Sequence, residues 1–232
     1  MFRLEDCSMV WPSGRGVHSV SLELEKGSIT AVCGRNGAGK TTLLDLFNGR
    51  QKPTGGSVVL DCSQAQVGFL PTIDFLEPEL TAKENLAFLS YLKAGSTKAW
   101  EWQKSDSLLG IKLIEVLEVE HLLGSQLNAL SSGERRKIHI LASLIGERPD
   151  SLPQLLIWDE PNNNLDIVAN LHIVSILNRV RDAGATILIA THVAETLTTL
   201  QGQCVVLKDG AKVDVLSMDR SDFLDHLKRW LL

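Results

Sequence analysis

One run of residues constrains this chain more than any other: Gly34-Arg35-Asn36-Gly37-Ala38-Gly39-Lys40-Thr41-Thr42. It satisfies the pattern G-x-x-x-x-G-K-[ST] without a mismatch. The apolar, β-branched run Ser28-Ile29-Thr30-Ala31-Val32-Cys33 before it reads as a buried strand. Leu43-Leu44-Asp45-Leu46-Phe47 after it reads as the first turns of a helix. A strand that ends in a glycine-rich loop and resumes as a helix belongs to an α/β layer structure. Gly34, Gly37 and Gly39 have no Cβ, so the backbone can take positive φ and come close to a ligand. Successive N–H groups and the helix N-terminus then face the phosphates of a nucleoside triphosphate. In that pattern Lys40 reaches the β- and γ-phosphates, and Thr41 ligates Mg²⁺.

Three further stretches carry matching chemistry. Leu155-Leu156-Ile157-Trp158 reads as a buried parallel strand with Asp159, Glu160 and Pro161 at its carboxyl end, where open α/β sheets bind ligands. Asp159 is expected to hold Mg²⁺ through water. Glu160 is expected to take a proton from an attacking water and orient it toward the γ-phosphorus. Ile187-Leu188-Ile189-Ala190 ends in Thr191-His192, and a histidine there can hydrogen-bond the γ-phosphate. Leu130-Ser131-Ser132-Gly133-Glu134 places a serine and backbone N–H groups at a helix start, an anion site. Trp11, at the edge of the turn Pro12-Ser13-Gly14, either stacks on an adenine ring or covers core.

The rest of the chain sets the frame. Near-alternating patterns predict strands over Phe2–Cys7 and Val17–Leu24. Short strands follow the Lys52–Gly56 turn, at Ser57–Leu60 and Gln66–Leu70. From about residue 72 to 150 the period becomes helical. Thr81 and Glu84 have capping-box spacing before a helix over Asn85–Leu92. A second helix is predicted over Ser105–Leu117, with Leu108, Leu109, Ile111, Ile114 and Leu117 on its apolar side, and a third over Arg135–Ile145. Ala94–Lys104, with Trp100 and Trp102, reads as a polar loop or poor helix, and 146–154, with Pro149 and Pro153, as a loop. Ile167–Asp182 then reads as a helix and Thr186–Ala190 as a strand. Cys204–Leu207 and Lys212–Leu216 form a hairpin around Asp209-Gly210. Ser221 is the expected N-cap of an amphipathic tail helix with Phe223, Leu227, Trp230 and Leu231 on one side. The fold class is therefore α/β: a P-loop NTPase core with a mixed sheet over 1–71 and 151–232. To it are added an N-terminal antiparallel β subdomain and a helical subdomain inserted at 72–150, within a single domain 1–232.

Composition narrows the function. The net charge of −5 speaks against a nonspecific nucleic-acid binder. Cys7, Cys33, Cys62 and Cys204 form no C-x-x-C pair, which suits reduced thiols and a cytosolic compartment. Met1–Asp6 lacks the apolar core of a signal peptide, and no apolar run is long enough to cross a bilayer. Work at a membrane would proceed through a partner.

In its order along the chain, this set resembles the nucleotide-binding domain of the ATP-binding cassette (ABC) ATPases, over nearly the whole length. Gly34–Thr41 matches Walker A, and Leu155–Glu160 matches Walker B with its catalytic glutamate. Leu130–Glu134 is similar to the signature loop Leu-Ser-Gly-Gly-Gln, Asn164-Leu165-Asp166 to the D-loop and His192 to the switch histidine. Trp11 stands near where that family stacks an aromatic on adenine. The resemblance implies nucleotide contacts from Trp11, from Gly34, Arg35, Asn36, Gly37, Ala38, Gly39, Lys40, Thr41 and Thr42, and from Ser131, Gly133, Glu134 and Asp166. It implies metal contacts from Thr41, Asp159 and Thr72, and catalysis by Glu160, His192 and Lys40. Two departures stand out. After Gly68-Phe69-Leu70-Pro71 the family has a glutamine that touches Mg²⁺, whereas this chain has Thr72, whose hydroxyl would reach the metal through a water. The signature carries Ser132 for glycine and Glu134 for glutamine.

The resemblance further implies a head-to-tail dimer. Each ATP lies between the P-loop of one subunit and Ser131–Glu134 of a second ABC ATPase subunit, identical or not. ATP closes the dimer and hydrolysis opens it, powering a separate transmembrane permease gripped by the helical block. The chain would be cytoplasmic, peripheral on the inner face of a membrane, with no nucleic-acid partner. A rival reading is a soluble ABC ATPase in translation, a class that usually carries two cassettes. Another is a DNA-repair ATPase, a class that inserts long coiled coils where this chain has no sustained heptads. A third is a degenerate structural half of a heterodimer, supported by Thr72 and Ser132. Within the family, the short chain, the lack of an extra domain and the nonstandard signature suggest the heme-exporter, or cytochrome c maturation, type.

Overall fold

Two sheets close on one helix. In the computed structural model, which describes residues 1–148 and 150–231, β1 (Phe2–Val10), β2 (Gly16–Leu24) and β4 (Gly55–Leu60) form an antiparallel sheet in the order β2-β1-β4. The second sheet has the order β5-β6-β7-β3-β8-β9. It is built from β3 (Ile29–Cys33), β5 (Val67–Leu70), β6 (Leu155–Asp159), β7 (Thr186–Ala190), β8 (Gln203–Lys208) and β9 (Ala211–Ser217). Its strands pair in parallel except β9, which returns antiparallel to β8 through Asp209 and Gly210, both at positive φ. That turn conformation is the one expected of a type I′ hairpin. Helix α1 (Lys40–Phe47) packs Leu43, Leu44, Leu46 and Phe47 between the sheets. Because both faces of the parallel sheet are covered, β3, β6 and β7 are buried at every residue, so they read as near-continuous apolar runs.

The opposite face of that sheet holds α2 (Ala82–Ala94), α3 (Leu113–Val116), α4 (Ser132–Ser143), α5 (Ile167–Asp182), α6 (Ala194–Thr199) and α7 (Phe223–Leu231). Residues 72–150 contain helices, 3₁₀ turns, connecting loops and an isolated bridge between Thr81 and Gln126, but no strand among the described residues. Their apolar side chains join those of β3, β6, β7 and α5 in one cluster, so the insertion shares the core rather than standing apart. The Thr81–Glu84 capping box is present, with Glu84 N–H donating to Thr81 Oγ1 at 3.2 Å and Thr81 N–H to Glu84 at 2.8 Å.

Three local expectations are corrected. The helix predicted over Ser105–Leu117 shrinks to α3. Gly110 sits at φ +66°, and Ser105 turns its hydroxyl onto the Trp102 carbonyl, both of which end helical winding. Its apolar residues are nonetheless buried or packed on the core. The segment read as a polar loop or poor helix does hold the 3₁₀ turn Glu101–Lys104, but it is less polar than expected: it buries Trp100 and Trp102, with Lys104 lying 4.5 Å over the Trp100 ring and Gln103 donating to the Leu141 carbonyl. The last helix starts at Phe223, so the position before it is Asp222 rather than Ser221, and Arg220 pairs with Asp222 there at 2.8 Å. Pro149 of the predicted loop, Leu232 and the Leu231 side chain lie outside the described residues.

Candidate active site

The sheet order alone gathers the chemistry. With β5-β6-β7-β3 side by side and in parallel, the residues leaving their carboxyl ends become neighbours: Thr72, Asp159 with Glu160, Thr191 with His192, and the 34–42 loop. The pairings Leu70–Trp158 and Asp159–Ala190 set the register.

Gly39, at φ +100°, occupies the N-cap position of α1 and offers no side chain to its first N–H groups. A Cβ there would lie 2.5 Å from the Gly16 carbonyl oxygen, so only glycine fits. The helix N-terminus is thereby left for an outside acceptor, and the macrodipole favours an anion. Lys40 is buried and folds back to donate to the carbonyls of Gly34 at 2.9 Å and Arg35 at 3.5 Å. Its ammonium thus hangs over the loop with carbonyls as its acceptors.

Asp159 is buried and receives two hydroxyls on one oxygen: Thr41 Oγ1 donates to Oδ2 at 2.7 Å and Thr72 Oγ1 at 3.0 Å. Thr72 therefore reaches the carboxylate directly. Glu160 takes φ +47°, its N–H donating to the Ala190 carbonyl at 2.8 Å. That left-handed turn brings Glu160 Oε2 to 2.8 Å from His192 Nδ1, with the carboxylate mostly buried and the imidazole 68% exposed. Trp11 is 39% exposed, its indole N–H donates to Thr42 Oγ1 at 3.3 Å, and it forms part of the cleft wall.

One cleft is lined by Trp11, Asn36, Gly37, Gly39, Lys40, Thr41, Thr42, Thr72, Asp159 and Glu160, with Ser13, Arg15 and Gly16 on its rim. Arg15 is a cation that the sequence pattern did not single out. Arg35 and Ala38 line the other side of the loop, facing the turn between β8 and β9, and Gly34 packs against Leu207 there.

Four predicted residues stand away from this cleft. Ser131 is the N-cap of α4, and its box is closed: Ser131 N–H and Oγ donate to Glu134 Oε2 at 2.8 and 2.7 Å, and Glu134 N–H returns to Ser131 Oγ at 3.3 Å. The Ser131 hydroxyl, then its N–H, holds the Glu134 carboxyl below its ordinary value. Gly133 lies against the chain's own Asn164, whose carbonyl oxygen would be 2.7 Å from an added Cβ. Asp166 caps α5, accepting from Ala169 N–H at 2.8 Å. None of Ser131, Gly133, Glu134 or Asp166 lines the cleft.

Two buried side chains of α4 went unread. Arg136 reaches the carbonyls of Pro71, Asp159, Glu160 and Pro161, and burial pushes its guanidinium down to about 10. His139 is 1% exposed, with Nδ1 3.6 Å from Asp74 and its ring 4.8 Å from that of Phe75. Burial pushes it down to about 4.

Comparison with known proteins adds independent findings. A family model described as ABC transporter matches residues 17–163. The chain is 32% identical over 208 residues to the Nod factor export ATP-binding protein I of Cupriavidus metallidurans, covering 85% of this chain and 64% of that protein. It thus spans less than two thirds of that relative's length. A solved structure of an ATP-binding subunit of an ABC transporter matches with a TM-score of 0.85 at 24% identity, over 99% of this chain and 98% of that one. The dimeric structure of a bacterial ABC transporter cassette matches with a TM-score of 0.80 at 21% identity, over 95% and 100%. At those identities the structures speak to the fold.

Proposed function

The chain belongs to the ABC transporter family, and from that premise we propose that it is a Mg²⁺-dependent ATPase subunit that drives transport by a separate permease. The observation that supports this best is the meeting of Lys40, the Thr41–Asp159 pair and Glu160 in one cleft, with His192 2.8 Å from the Glu160 carboxylate. Lys40 exchanges its carbonyl acceptors for β- and γ-phosphate oxygens, a stronger charge-assisted contact. Trp11 offers its face to the adenine. The hard oxygen donors of Thr41, Asp159 and Thr72 suit Mg²⁺, which would spread the charge of the phosphates. Glu160 accepts the proton of the attacking water, and His192 fixes the carboxylate and reaches toward the γ-phosphate.

Ser131, Gly133, Glu134 and Asp166 then act on the nucleotide of a second subunit, arranged head to tail; that none of them lines this chain's own cleft supports the reading. One of the similar solved structures is of a dimeric cassette, which supports a dimer. No helix among the described residues is long and apolar enough to cross a membrane. Exposed Ile73, Phe75 and Leu92 line an apolar groove between β5 and α2, and α2 also exposes Phe88 and Tyr91, a surface suited to a cytoplasmic loop of the permease. The subunit would then sit on the inner face of the membrane.

The test is Glu160→Gln with Mg·ATP. Loss of the proton acceptor should lower kcat by about 10²–10⁴-fold while nucleotide still binds, and gel filtration should show a dimer held by ATP. Turnover near the wild-type rate would remove Glu160 from this role.

A further inference from the structure

We propose that Arg136 is a positioning residue that ties the tip of α4 to the carboxylate on which hydrolysis depends; this rests on the functional reading above. Its guanidinium joins three segments far apart in sequence. Nη2 donates to the carbonyls of Asp159 at 2.7 Å and Glu160 at 2.9 Å, Nη1 to that of Pro71, and Nε to that of Pro161 at 3.4 Å. Pro71 precedes Thr72, so one buried side chain sets both hydroxyl and carboxylate around Asp159 Oδ2. Glu160 is a non-glycine residue in the left-handed region, a disfavoured conformation that persists only where its surroundings hold it. The surroundings are visible. Its N–H is held by Ala190 and its C=O by Arg136 and Asn163 N–H, and the side chain thereby meets His192.

Packing α4 against the sheet does not require a charge, and an apolar side chain would do so without desolvating one. Arginine does what an apolar residue cannot: its planar fork serves several carbonyls at once. The geometry also links two sites. Arg136 lies five residues after Ser131 on the same helix, about 7.5 Å along its axis. A shift of α4, whose tip would meet the nucleotide of the partner subunit, is transmitted to the backbone around this subunit's Glu160.

The experiment compares wild type with Arg136→Lys, which keeps charge but has a single point of donors, and with Arg136→Gln as a second variant in case one does not fold. The expected result is a split: kcat falls about tenfold to a hundredfold, as for a small misplacement of a catalytic group. Affinity for nucleotide, read by tryptophan fluorescence, stays within about twofold. In a Glu160→Gln background the same Arg136 substitution should add no further loss to the residual rate, because the two residues act through one carboxylate. Unchanged kcat, an equal loss of nucleotide affinity, or a full additional loss in the Glu160→Gln background would each overturn the assignment. A wild-type protein that binds no nucleotide would overturn the functional reading and this assignment with it.

Discussion

At the carboxyl ends of β5, β6 and β7 the polar side chains answer to partners from distant parts of the chain: Thr41 and Thr72 to Asp159, and His192 to Glu160. At the tip of α4 Ser131 and Glu134 answer to each other in a closed box. The first arrangement is largely buried and completed by tertiary structure. The second is local, exposed and complete as a helix cap, yet it touches no cleft of its own chain. The proposed head-to-tail dimer gives that tip a nucleotide to meet that is not its own. What holds that tip is beneath it, in Arg136 and His139.

The largest effect expected is on the support of the α4 end. His139 is pushed down to about 4 by burial, with Asp74 opposing and Arg135 and Arg136 reinforcing the shift. The unfolded chain titrates near the ordinary value of 6.5, so between those values it binds more protons than the folded one. Stability from this group is therefore complete above about pH 6.5 and is lost as pH falls toward 4, by up to ~3 kcal/mol. Urea unfolding of wild type and His139→Leu across that range measures it. The variant should flatten the decline, and an undiminished slope would place its origin elsewhere.

His139 also shows where sequence reading stops. The runs that became β3, β6 and β7 were legible because a parallel sheet covered on both faces needs near-continuous apolar runs. Helix α5 was legible to its ends, with Asp166 capping its start and Arg179 and Arg181 in its last turn. The 34–42 loop was legible because its parts are contiguous. Arg136 and His139 were not. The acceptors of Arg136 are carbonyls, which every residue has, and Asp74 pairs with His139 only because the chain after β5 passes over α4. The overlong helix at 105–117 failed for a local reason: apolar spacing was right, but Gly110 and the serines preferred turns.

The next effect probes the buried arrangement by itself. Lys40→Ala removes a charge-assisted contact to phosphate, worth ~1.5–3 kcal/mol, so nucleotide affinity should fall about ten- to a hundredfold. Fluorescence of Trp11 at the cleft wall is the natural reporter. The loss should appear at protein concentrations too low for dimers, since Lys40 lies in its own chain's loop beside the Gly34 and Arg35 carbonyls. An affinity that is unchanged, or that falls only where dimers form, would erase the distinction between the two regions.

The smallest effect probes the exposed arrangement. Glu134 puts a negative charge on the end of α4 that the proposed dimer turns toward a triphosphate. The charge suits the helix dipole and hurts the approach of phosphate. Glutamine can keep the cap, since its amide oxygen also accepts from the Ser131 N–H, while removing the charge. Two unit charges in water at contact distance repel by about 1 kcal/mol, so Glu134→Gln should lower the ATP concentration that closes the dimer roughly fivefold at low salt. The gain should fade as salt screens the pair, because Glu134 is at the surface. In the Glu160→Gln background, where closure is not undone by hydrolysis, gel filtration at low and high salt reads the change directly. Binding of nucleotide to the single chain should not move at all. If closure is unaffected at low salt while single-chain affinity rises, Glu134 faces its own cleft, and the two regions form one site rather than two.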